Sequence, residues 1–271
     1  MERSLGLMCG AGVLPARMAR EARRQGWRVV AFTVGPVEGV DVHADRVVPS
    51  RLTEVAPVLV ALQEERVSAV LLAGRFPADD VLKSPGDEVF AHLAGRAGSL
   101  VDARLLDAVV TTLAGMGVTV LDQRLFVGDW LCDEGCWTAT RPTDAEWADV
   151  RRGLDLARQA ADGHVGQTVV LKRGVVAAVE ALEGTTAAIR RGTSLAGPGA
   201  VVVKAVAADH DYRFDTPAVG PETIEAAASG RAAVVAIEAQ RVLIVDRGET
   251  VRRADAAGIA LVCTGGGGRR A

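Results

Sequence analysis

LGLMCGAGVLPARMAREARRQG, residues 5–26, reads as a short apolar strand, a glycine turn and a helix that carries its apolar residues on one face of a basic sequence. Glycines between a first strand and a first helix let the backbone approach a ligand, and the helix start offers N–H groups and a positive dipole end to a phosphate. WRVVAFTV (27–34) repeats the strand pattern, RLTEVAPVLVALQEER (51–66) predicts a helix broken near Pro57, and VSAVLLAG (67–74) predicts a third strand ending at Gly74. A helix over 98–117 and a strand over 118–122 complete an alternation that implies a parallel sheet covered on both faces.

GDWLCDEGCWTATRP (128–142) shows no sustained period and reads as a linker between residues 1–128 and 143–265, with 266–271 as a flexible tail. Thr143 followed by Glu146 makes a capping box that opens a helix. QTVVLKRGVVAAVEAL (167–182) predicts two strands around a Lys172-Arg173-Gly174 turn, and AAVVAIEAQRVLIVDR (232–247) predicts a strand pair turning near Glu238 to Arg241. The expected fold class is therefore α/β, with a Rossmann-like parallel sheet first and a mixed-sheet α/β domain second.

The chain has 271 residues, 49% hydrophobic and 24% charged, and a formal charge of −3, so no basic field draws it to nucleic acid. No run approaches the roughly 20 apolar residues that span a bilayer. Cys9, Cys132, Cys136 and Cys263 lack histidine neighbours at zinc spacing, and reduced thiols of a cytosolic protein are the expectation for them.

Four motifs carry chemistry. Gly10-Ala11-Gly12-Val13-Leu14-Pro15 suits a nucleotide or phosphate; Pro15 stands where a dinucleotide fingerprint needs glycine, and the acidic residue after the second strand is absent, which weighs against an NAD oxidoreductase. Leu72-Ala73-Gly74-Arg75 ends the third strand, where a doubly wound sheet opens its crevice. Glu180 and Glu183 enter a Gly184-Thr185 turn that starts a helix, a place where carboxylates and N–H groups converge on a metal or a phosphate. Lys204 is followed by Asp209, His210, Asp211, Arg213 and Asp215 in one loop, a density of charge that suits a cation or phosphate.

In this order, GAGVLP, LAGR, EGT, Lys204 and RFDTPAVGPET (213–223), the chain resembles the LpxI-type UDP-2,3-diacylglucosamine pyrophosphatases along nearly its whole length. That resemblance implies hydrolysis of the diphosphate of UDP-2,3-diacylglucosamine to UMP and 2,3-diacylglucosamine 1-phosphate, with Mg2+, or Mn2+, as cofactor. It implies a catalytic set of Asp215, Asp211, Lys204 and Arg213, and metal ligands Asp215, Asp211 and Glu183. Substrate contacts implied are Gly10, Gly12, Leu14, Pro15, Gly74, Gln167, Gly184 and Thr185. It implies a cytoplasmic protein with a lipid substrate and no nucleic-acid partner, and leaves room for peripheral contact with the cytoplasmic face of the inner membrane and for a homo-oligomer. Thr186 and His164 stand where the family usually writes aspartate, and the alternative they raise is a catalytically inert nucleotide-sugar or lipid-binding homologue.

Overall fold

The structure, a computed structural model, describes residues 3–76, 86–97 and 103–265. The tail expected at 266–271 and the start of the helix expected at 98–117 lie outside these. Contacts divide the chain into two units, one of residues 1–128 with Asp211–Asp215 and one of the remainder.

In the first unit, β1 (Ser4–Cys9), β2 (Arg28–Val34), β3 (Arg46–Ser50), β4 (Ala69–Ala73) and β5 (Thr119–Val120) form one parallel sheet in the order β3-β2-β1-β4-β5. The chain leaves β1 for β2 on one side and reaches β4 on the other, so the topological switch lies between β1 and β4. α1 (Leu14–Arg24), α2 (Val55–Glu64), α3 (Glu88–Ala97), α4 (Ala103–Gly115) and α5 (Arg124–Val127) connect the strands. Leu5, Leu7, Val29 to Phe32 and Leu71 are fully or almost fully buried, as near-continuous apolar runs in a covered parallel sheet should be. Pro57 does not break α2: it sits in the first turn, where its missing N–H has no intrahelical partner to lose. β3 carries an exposed, polar-flanked run with Pro49 inside it, and sequence periodicity gave no sign of it.

In the second unit, β6 (Gly135–Cys136), β7 (Thr168–Lys172), β8 (Val175–Val179), β9 (Val201–Lys204), β11 (Val234–Glu238) and β13 (Ala260–Thr264) form a mixed sheet in the order β6-β13-β11-β9-β7-β8. β9, β11 and β13 run parallel; β7, β8 and β6 each pair antiparallel to a neighbour. β6 comes from the stretch that read as linker. α6 (Asp144–Asp162) opens on the Thr143–Glu146 capping box and packs Val150, Leu154 and Ala157 on one face of the sheet. α7 (Thr185–Ala196), α8 (Pro221–Ser229) and α9 (Arg247–Ala256) pack Ile189, Ile224 and Ala254 on the other. The β7–β8 hairpin turns through Arg173 at φ 50° and Gly174 at φ 77°, two successive left-handed positions of the kind that suit a tight hairpin. The strand pair expected over 232–247 does not form: β12 (Leu243–Ile244) pairs with β10 (Ala218–Val219) in a separate two-stranded sheet, after a turn in which Gln240 has φ 59° and donates its N–H to the Cys132 carbonyl.

All four cysteines are free. Burial pushes the Cys9 thiol up to about 12, and Cys132 has the buried Cys263, not Cys136, as its hydrogen-bond partner.

Candidate active site

In the first unit the turns after β1 and β4 are tied to one another by their backbones. Gly10 N–H donates to the Ala73 carbonyl at 2.8 Å, Ala11 N–H to Arg75 at 2.9 Å, and Arg75 N–H back to Ala11 at 2.8 Å. A Cβ on Gly10 would stand 2.6 Å from the Arg75 oxygen, and one on Gly74, at φ +86°, 2.7 Å from the Ala11 oxygen. Both glycines are thus required by the mutual approach of two loops at the switch point. Gly12, at φ +104°, has open space beside it. α1 then begins at Leu14 and Pro15 with no side-chain cap and no acidic residue in its first turn, which keeps its positive end available to an anion.

The loop Asp211–Asp215 belongs to this same unit. The Tyr212 carbonyl accepts the Gln123 N–H at 3.0 Å, and the Arg124 guanidinium lies over the Tyr212 ring, 3.9 Å from its centre. Arg213 folds back on Asp211: Nε donates to Oδ1 and Oδ2 at 3.0 Å each, and Nη2 to Oδ2 at 2.6 Å. That fork keeps Arg213 protonated, its pKa raised first by the hydrogen bond to Asp211. Asp215 is exposed, and with Phe214 it borders an apolar cavity.

The second unit presents a site made of side chains. Lys204 ends β9 and is only 8% exposed, yet its Nζ donates to Thr185 Oγ1 at 3.0 Å. Thr185 Oγ1 in turn donates to Glu180 Oε1 at 2.7 Å, and Gln167 N–H reaches Glu180 Oε2 at 3.4 Å. Thr185 is the first residue of α7, whose preceding Gly184 has φ +81° and supplies no side-chain cap. A buried ammonium, a hydroxyl and an uncapped helix start therefore converge, the elements of a phosphate site. Thr168, which faces Lys204 across β7–β9, has a buried Oγ1 without a partner among the described residues.

Of the residues singled out in the sequence, the structure gathers Gly10, Gly12, Leu14, Pro15 and Gly74 at one switch point, and Gln167, Gly184, Thr185 and Lys204 around one helix start. Glu183 does not join the latter group: it pairs with Arg191, whose hydrogen bond holds its carboxyl below the usual range. Glu180 takes the inner position instead. Sequence reasoning missed the buried Glu238, which accepts Arg158 Nε and Nη2 at 3.0 and 2.7 Å and the Val206 N–H at 3.0 Å. Ile237 pairs with Lys204 in the sheet, so this ion pair closes the same strand edge; the partners lie 80 residues apart, and no local pattern announces them.

A divalent ion would want several carboxylate oxygens together. Asp211 and Glu183 each carry an arginine, and among the described residues no three His, Cys, Asp or Glu side chains are placed to hold a metal. As it stands this donor set does not by itself make a metal centre.

The strand order and the two glycine turns define an α/β protein with a Rossmann-type first unit and a mixed-sheet second unit. Models of the LpxI N-terminal domain and the LpxI C-terminal domain match residues 4–130 and 133–262. The chain is 30% identical over 276 residues to the UDP-2,3-diacylglucosamine pyrophosphatase LpxI of Caulobacter vibrioides, spanning 95% of this chain and 96% of that one. The chain belongs to the LpxI family. Two solved structures share less of the sequence. An N5-carboxyaminoimidazole ribonucleotide synthetase from Thermotoga maritima is 14% identical over 66% of this chain and 41% of its own, with a TM-score of 0.26. A glycinamide-RNase-transformylase T from Mycobacterium tuberculosis is 15% identical over 73% of this chain and 44% of its own, with a TM-score of 0.25.

Proposed function

We propose that this protein hydrolyses the diphosphate of UDP-2,3-diacylglucosamine, releasing UMP and 2,3-diacylglucosamine 1-phosphate. The observation that carries the reading is the buried Lys204 held on Thr185 at the uncapped start of α7. A buried ammonium next to N–H donors is costly without an anion to meet it, and a diphosphate is such an anion. The name of the relative from Caulobacter vibrioides supports UDP-2,3-diacylglucosamine as the bearer of that diphosphate. In the reaction, a water oxygen bonds to the α-phosphorus as the bridging oxygen bond to that phosphorus breaks. Asp215 takes the water's proton; Lys204, fixed through Thr185 and Glu180, offsets charge gathering on the phosphate oxygens.

The glycine turn at Gly10 to Pro15 with Gly74, and the Gln167 element, are the proposed contacts for the nucleotide and phosphates. Because the described side chains do not form a metal centre by themselves, an activating Mg2+, or Mn2+, would take ligands from the substrate's phosphates, and addition of EDTA followed by each metal tests it. Among the described residues no helix is long and apolar enough to cross a membrane. A cytoplasmic protein that meets its substrate at the inner-membrane surface is the proposed setting, with self-association open to test by light scattering.

The deciding experiment measures UMP released from UDP-2,3-diacylglucosamine by wild type and Asp215→Ala. Loss of a general base should slow release by about 10²–10⁴-fold. Equal rates remove Asp215 from the chemistry. Tight binding of the substrate by wild type without any UMP would make the protein a binding homologue, the direction in which Thr186 and His164 point.

A further inference from the structure

Thr168 opens β7 and is 1% exposed, and its Oγ1 has no hydrogen-bond partner among the described residues. Burying a hydroxyl without a partner is unfavourable, and the large majority of buried polar side-chain atoms in folded proteins have one. Valine would keep the β-branched shape that suits a strand and would avoid that cost, as Val169 and Val170 do at the next two positions. The hydroxyl therefore works against the free protein unless a ligand meets it.

The ladder says where the hydroxyl lies. Thr168 pairs with Lys204, and Val170 with Val202, across the antiparallel strands β7 and β9. Directly opposite residues project from the same face, with Cβ atoms about 4.5–5.5 Å apart. Val170 and Val202 share one core with Ile189 of α7, so Thr168 and Lys204 continue that face at the strand ends where α7 begins. α7 lies close on β7: a Cβ on Gly192 would stand 2.5 Å from the Val170 Cβ. Of the two hydroxyls beside Lys204, that of Thr185 is already committed. It accepts from Lys204 Nζ at 3.0 Å and gives its own proton to Glu180 Oε1 at 2.7 Å. The Thr168 proton has no acceptor, and it sits beside a buried ammonium and a helix start that no side chain caps. A phosphate oxygen satisfies all three donors at once.

We propose that Thr168 is a substrate-contacting residue whose hydroxyl donates to a phosphate oxygen held by Lys204. The inference rests on the phosphate reading of this site given above and adds a residue to it. Its signature is an exchange of stability for binding: the hydroxyl that the phosphate needs is one that the empty protein would be more stable without.

The test compares wild type, Thr168→Val and Thr168→Ser as full chains. Binding of inorganic pyrophosphate is measured by calorimetry, and kcat/KM by UMP released from UDP-2,3-diacylglucosamine. Losing a hydrogen bond to a charged group weakens an interaction by about 10–100-fold. Thr168→Val should lose that factor both in pyrophosphate affinity and in kcat/KM. Thr168→Ser keeps the hydroxyl and should stay within about three-fold of wild type. Without ligand, Thr168→Val should melt at the wild-type temperature or up to about 4 °C above it.

Where UMP is released, kcat/KM decides: an unchanged value in Thr168→Val overturns the role of Thr168 and leaves the hydrolase reading intact. Where none is released by any variant, pyrophosphate decides: affinity lost in Thr168→Val and kept in Thr168→Ser supports Thr168 and removes the hydrolase. A Thr168→Val that melts several degrees below wild type, or does not fold, also overturns the proposal, because the hydroxyl then serves the fold. Wild type that neither binds pyrophosphate nor releases UMP overturns both readings.

Discussion

Gly10 and Gly184 both stand where a strand hands over to a helix, for different reasons. Gly10 is flat against the backbone of Arg75, and the first site is shaped by main chain packed on main chain. Gly184 has nothing within 4 Å of a would-be Cβ and serves only its φ of +81°; the site beside it is shaped by the side chains of Lys204, Thr185 and Glu180. A site drawn in backbone resists most substitutions and fails at its glycines. A site drawn in side chains folds through most substitutions and fails in its chemistry.

The largest test of that contrast is Lys204→Met. Removing one preorganised charge from a site of this kind typically costs about 10²–10³ in rate. UMP release should fall by that order while the melting temperature stays close to wild type, because methionine keeps the buried stem's volume. A large loss of melting temperature with the rate per folded molecule intact would make Lys204 a structural residue.

Next comes Gly10→Ala. Its methyl would press on the backbone of Arg75, which has no rotamer to retreat into, and overpacking of that kind costs about 1–3 kcal/mol. Gly184→Ala places a side chain at φ 81°, ψ 166°, a conformation that is essentially glycine-only, with open space around it, at about 1–3 kcal/mol. Urea midpoints should fall below wild type in both variants, from strain in one residue's own backbone at Gly184 and from a clash between two loops at Gly10; an unchanged midpoint in either would break the distinction between the glycines.

The smallest effect concerns the far edge of the first sheet, where side chains do hold the unit together. Glu65 Oε2 accepts Arg28 Nη2 at 2.5 Å and its other oxygen meets Arg46, joining α2's end to β2 and β3. The Arg28 hydrogen bond, helped by the charge of Arg46, holds the Glu65 carboxyl below its usual value against the opposing pull of burial. A depressed folded pKa means stability that is complete above the unfolded value of about 4.3 and is lost as pH falls through the folded one. Glu65→Gln should therefore melt below wild type at neutral pH, and the gap should close as the pH drops below about 4. A gap constant across that range would remove the ion pair from the stability of this edge.

What was legible in the sequence was local. The strand, glycine turn and helix of residues 5–26, the Thr143–Glu146 capping box and the Arg173-Gly174 hairpin each state their geometry within a few residues, and each is present. What was not legible depends on partners distant in sequence. Gly135–Cys136 has too few residues for any period and becomes a strand only because β13 is there to pair with it. Leu243–Ile244 looks like the second arm of a hairpin, yet its ladder partner is Ala218–Val219. At the second site the choice between Glu180 and Glu183 turned on Arg191, eight residues further on, which engages Glu183 on the helix surface and leaves Glu180 to meet Thr185.

The segment Asp211–Asp215 is written in the second half of the chain but counted by its contacts in the first unit. A gene fragment ending at Gly128 would thus encode a body lacking five of its own residues, among them Tyr212, which meets Gln123 and Arg124. The two halves are not interchangeable modules, and a fusion or shuffled descendant that kept only one of them would inherit an incomplete unit.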